Sequence, residues 1–84
     1  MKGDEVIKQT TETVLRELNL KCWQFDIKQI VAESSLVSRQ IRLFDTAAND
    51  KAAVFNFQAT KGNLSRELKQ LKKRIKKQLM LLSE

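Results

Sequence analysis

The side chains best suited to chemistry lie between Arg66 and Lys77. Arg66, Lys69, Lys72, Lys73, Arg74, Lys76 and Lys77 crowd this stretch, and only Glu67 opposes them. A helix here would set these cations around an apolar stripe of Leu68, Leu71 and Ile75. The chemistry of such a pattern is electrostatic, the binding of a polyanion. A helix that needs only solubility usually mixes Lys with Glu four residues apart and gains a few tenths of a kcal/mol per pair. This stretch instead sets like charges four apart, at Lys69–Lys73, Lys72–Lys76 and Lys73–Lys77. The negative end of a helix dipole rewards cations only in the last turn, which reaches Lys76 and Lys77 but not Lys69.

Other chemistries lack their residues. There is no His and no Tyr, so the commonest general acid–base group and one of its substitutes are missing. The lone Cys22 has no His to activate it as a nucleophile, and it cannot build a tetrahedral zinc site. Next to Trp23 it reads as half of a buried pair at a helix bend. The carboxylates match no calcium-loop spacing, and Gly3 and Gly62 cannot form a phosphate-cradling loop. The expectation is a non-enzymatic binding protein with no cofactor, no metal and no small-molecule substrate.

A second contact region follows the cations. Leu79, Met80, Leu81 and Leu82 are apolar all round the last helical turn, whereas one packing seam buries about two of four such residues. They are candidate contacts for a partner or a second copy. Of the aromatic residues, Phe44 and Phe57 fall on apolar seams, and Phe25 and Phe55 fall off them.

The elements that position these groups read as helices. With 84 residues, no Pro and only two Gly, the chain offers one domain with little turn punctuation. A first helix spans about 4–20, with Asp4 as cap and Ile7, Thr11, Val14 and Leu18 on its apolar side. A second spans about 26–48, where Ile27, Ile30, Ser34, Val37, Ile41, Phe44 and Ala48 alternate steps of three and four, with Ser34 as a soft point. Asn49-Asp50 reads as a turn. Helices of about 51–61 and 63–83 come next, separated at Lys61-Gly62-Asn63 or continuous through it. The fold class expected is all-α: a small antiparallel three- or four-helix bundle, or helical hairpin, with coiled-coil-like heptad seams.

Ile30 to Phe44 resembles a helix-turn-helix, with Ala32 in the first helix and Val37-Ser38 opening the second. Leu36 stands where that family usually has glycine. Phe57-Gln58-Ala59-Thr60, Gly62 and the basic helix are similar to the two-helix ribosomal protein near the large-subunit tunnel exit, over about a third of the chain.

The charge is unevenly spread, with a net of −1 over residues 1–50 and +7 over residues 51–84. A single cysteine, a charged N-terminus and no long apolar run predict an intracellular protein, cytoplasmic or nucleoid/nuclear, without a membrane span. The leading expectation is docking of the basic helix on nucleic acid backbone, with an acidic protein surface as the other anionic partner. The alternative is a helical assembly or adaptor subunit, homo-oligomeric or bound to other proteins, that uses its seams and Leu79–Leu82.

Overall fold

The computed structural model describes residues 2–33, 35–48 and 50–82. Among them the chain runs α1 (Lys2–Glu17), β1 (Trp23–Gln29), β2 (Val37–Asp45), β3 (Ala52–Ala59) and α2 (Leu64–Leu82). The strands form an antiparallel meander in the order β1-β2-β3, and both helices cover one face of it. The class is therefore α+β. The expected all-α bundle, its coiled-coil seams and the helices over 26–48 and 51–61 are overturned. Ser34 and Asn49, read as a soft point and part of a turn, lie outside the described residues.

Residues 23–29, 37–45 and 52–59 form strands because their alternation matches a two-sided sheet. Trp23, Phe25 and Ile27 of β1 face the helices, as do Ile41 and Leu43 of β2 and Ala53, Phe55, Phe57 and Ala59 of β3. The register stacks them in rows such as Phe25–Leu43–Ala53 and Ile27–Ile41–Phe55. The three-four spacing that suggested a helix mixes both faces: Ile41 is buried, Ile30 is half exposed in the β1–β2 loop, and Phe44 points to the uncovered side. Phe55, read as off the seams, is in the core. Cys22 is exposed while Trp23 is buried, so the expected buried pair is split. The helix-turn-helix resemblance falls for the same reason, because Ile30–Phe44 is a loop followed by β2. The ribosomal resemblance fails where Phe57 to Ala59 closes β3.

The connections between strands form without glycine or proline. The Asp45 carboxylate accepts the Ala47 N–H at 2.9 Å, and the Lys51 N–H donates to the Ala48 carbonyl at 2.9 Å. An Asp side chain that folds back on its own backbone makes such a turn unaided. In the β1–β2 loop the Leu36 N–H reaches the Glu33 carbonyl at 3.3 Å.

The helices follow their apolar stripes. Ile7, Thr11 and Val14 of α1 are fully buried, and the Thr11 hydroxyl is satisfied by donating to the Ile7 carbonyl at 2.9 Å. Asn19 ends α1 in the left-handed region at φ 57°, with Leu20 N–H bonded to the Leu15 carbonyl and Asn19 N–H to that of Arg16. Leu71, Ile75 and Leu79 of α2 are buried beside β3.

Gly3 sits against Val37, where an added Cβ would lie 3.1 Å from the valine methyls. The start of α1 is therefore held at the start of β2. Val37 pairs with Ala59, and α2 begins just beyond, so both helices start at one end and run side by side. Arg39, 1% exposed, closes that end by donating to the Asp4 carboxylate and to the Ser38 carbonyl.

Candidate nucleic-acid interface

Packing divides the cations of α2 into two groups. Leu71, Ile75 and Leu79 face the core, so residues at a right angle to them lie on the helix flanks and those opposite point outward. On one flank Lys72 and Lys76 reach the Glu17 carboxylate of α1, at 3.4 Å and 3.7 Å. On the other, Arg74 donates to the Asn56 carbonyl at 3.3 Å and lies 5.8 Å from the centre of the Phe55 ring. These three hold α2 to the rest of the fold. Such half-exposed pairs contribute about 0–1 kcal/mol each, so they orient the helix more than they stabilise it.

Arg66, Lys69, Lys73 and Lys77 form the outward group. All four are exposed, and none has an ion pair or side-chain hydrogen bond among the described residues. Their steps of three, four and four draw one line along the outer surface, with a rise of about 17 Å at 1.5 Å per residue. The seven cations singled out in the sequence thus share one helix but not one face. Glu67, the only acid in the stretch, is half-buried on the side.

What precedes α2 fixes where this line starts. The Asn63 carboxamide oxygen accepts from the Thr60 N–H at 2.7 Å and from its hydroxyl at 3.2 Å, while the Asn63 carbonyl accepts the Glu67 N–H at 2.9 Å. Lys61, which the sequence places at a helix break or within a continuous helix, is exposed in this turn.

The apolar end of α2 also divides. Leu79 belongs to the core and Leu82 packs against it, whereas Met80 and Leu81 are 52% and 57% exposed. Met80 and Leu81 line a shallow depression with Lys73, Lys76 and Lys77. Among the described residues no helix is long and apolar enough to cross a membrane.

Sequence reading missed a second charged surface. Glu5, Lys8, Glu12 and Arg16 stand along α1 beside the outer strand β1, lining a groove of ≈ 600 Å³ floored by Leu15, Leu20, Trp23 and Phe25, and its continuation past Ile27. The signal was present as alternating signs at helical spacing, but it acquires a location only once β1 is known to be a strand.

Comparison with protein-family models, curated proteins and solved structures gave no match.

Proposed function

We propose that the domain binds nucleic acid through the outward face of α2, by contacts to the phosphate backbone. The observation that carries this reading is the line of Arg66, Lys69, Lys73 and Lys77, four exposed cations with no internal counter-charge among the described residues. Two arginines of β2 are neutralised, Arg39 by Asp4 and Arg42 by Asp26, whereas these four stand together with only Glu67 near them in the chain. Like charges held along a helix repel, and a polyanion removes that repulsion while its own counterions are released. Because α2 lies flat on the sheet, only its outer half is presented. That geometry suits a phosphate ridge better than insertion into a groove, and no Asn, Gln and Arg set stands at base-reading spacing, so little sequence preference is expected.

The test is fluorescence anisotropy with labelled duplex DNA, duplex RNA and single strands across a salt series. The wild type is compared with Lys69→Gln/Lys73→Gln/Lys77→Gln and with the flank variant Lys72→Gln. Tight, steeply salt-dependent binding lost in the triple variant supports the reading, and the preferred strand type then narrows the role. Weak binding that none of the substitutions changes sinks it.

Met80 and Leu81 favour a second reading, in which the same cations and this apolar pair meet an acidic, amphipathic protein surface. Binding of nucleic acid that survives the uncharged change Met80→Ser/Leu81→Ser separates the two.

A further inference from the structure

The two edges of the sheet are finished differently. Asp45 N–H bonds to the Lys51 carbonyl, so odd residues of β3 pair with β2 and even ones turn their backbone groups outward. There Arg74 caps one of the outward groups, the Asn56 carbonyl. On β1, the Cys22 carbonyl accepts from Thr46 and the Ile30 N–H donates to Ser38, so the even residues pair inward. The N–H and C=O groups of Trp23, Phe25, Ile27 and Gln29 therefore face the open edge, and no hydrogen bond from another element reaches them among the described residues. Such an edge is a template for another strand.

The flank of α1 above this edge says which strand fits. Its charges run Glu5, Lys8, Glu12, Arg16: minus, plus, minus, plus. Among the described residues none of the four is in an ion pair. Set antiparallel to itself, this array brings Glu5 opposite the partner's Arg16 and Lys8 opposite the partner's Glu12, with every sign complementary. Phe25 and Lys8 border both stretches of the groove, which puts Phe25 beside the central part of the array.

We propose that β1 pairs antiparallel with the β1 of a second copy about a two-fold axis at Phe25, joining the meanders into a six-stranded sheet. An isologous interface demands a self-complementary surface, and a surface of one sign cannot supply it. In this register Trp23 faces the partner's Ile27 on the helix side, and the two Phe25 rings meet at the axis. Two packed helices need axes about 8–10 Å apart. The first turn of α1 is tied to Val37 and Arg39 of β2, and the groove between α1 and β1 supplies the room. The partner's α1 flank occupies that groove. This surface is separate from the cationic line of α2 and does not depend on nucleic acid.

The test is sedimentation velocity of the full chain, without nucleic acid, from micromolar to millimolar concentration. The variants are Glu5→Lys and Arg16→Glu, alone, mixed, and combined in one chain. The wild type is expected to dimerise, and each single variant to self-associate about tenfold more weakly, because its surface pairs turn repulsive. The equimolar mixture restores the dimer, since Lys at 5 then faces Glu at 16 while Glu5 faces Arg16, and the double variant restores it within one chain. Met80→Glu/Leu81→Glu leaves it unchanged. A wild type that stays monomeric throughout, a dimer indifferent to both single changes, a mixture that fails to recover, or a dimer abolished by the Met80 and Leu81 changes would each overturn the proposal. Circular dichroism of every variant confirms that the fold is intact.

Discussion

The two helices share one sheet face and one kind of buried stripe, yet their outer surfaces follow opposite rules. α2 carries outward charges of a single sign, Arg66, Lys69, Lys73 and Lys77, whereas α1 alternates Glu5, Lys8, Glu12 and Arg16. A single-sign array attracts any dense polyanion and repels its own image. An alternating array is close to neutral at a distance and selective at contact, because only a matched order of signs satisfies it. The core fixes where each helix lies, and the order of charges on its outer face determines what it can recognise.

The largest effect should come from the shared inner stripe. Leu71→Ala empties a fully buried site between α2 and β3 and is expected to cost about 2–5 kcal/mol, read by denaturant unfolding. If the cost were below 1 kcal/mol, α2 would not be packed as described, and the separation of its two faces would fail with it. Next comes the outward line. Lys69→Gln/Lys73→Gln/Lys77→Gln should lower nucleic-acid affinity by about two orders of magnitude near physiological salt and cut the salt slope by about one per lysine that contacts phosphate. The same variant should leave self-association unaltered, and Glu5→Lys should leave the salt slope unaltered. A crossed result, with either surface moving the other's readout, would dissolve the contrast between the helices.

Smaller effects refine it. Arg74→Ala removes the ring contact with Phe55 and the cap on Asn56, and should cost about 0.5–1 kcal/mol in thermal unfolding. It should also bare the β3 edge, which an increase in thioflavin-reactive aggregates would reveal. Asn19→Gly, at the one positive-φ position among the described non-glycine residues, should be neutral or stabilising by a few tenths of a kcal/mol, and Asn19→Ala should destabilise by about 1 kcal/mol.

The helices were legible because α1 and α2 repeat apolar residues at 3.6-residue spacing, and Ile7, Thr11, Val14, Leu71 and Ile75 lie where that spacing puts them. The sheet was not, for two physical reasons. Its turns rest on the Asp45 carboxylate and on Glu33 rather than on glycine or proline, so the usual punctuation was missing. Its apolar residues also occupy both faces, since Phe44 and Val54 lie on the uncovered side, and the mixture of faces counterfeits a three-four step. The alternation of Ala53, Phe55, Phe57 and Ala59 was the readable signal, and a helical seam that took Phe57 and left out Phe55 obscured it. The basic stretch was visible as composition. Its division into outward and fold-holding cations was not, because that depends on Glu17 and Asn56.

The parallel run of the helices has a consequence for synthesis. Glu17 waits 55 residues for Lys72, and Phe55 and Phe57 have no cover over β3 until α2 arrives. A ribosome must therefore release α2 before the meander can bury its aromatic residues. During that interval the half-made sheet is exposed to mispairing and to chaperones. The cationic helix is the last described element to emerge and the one that closes the core. Truncation cannot remove the basic surface and leave a folded remainder, so a chain cut short before α2 would lose the surface and the fold as one event.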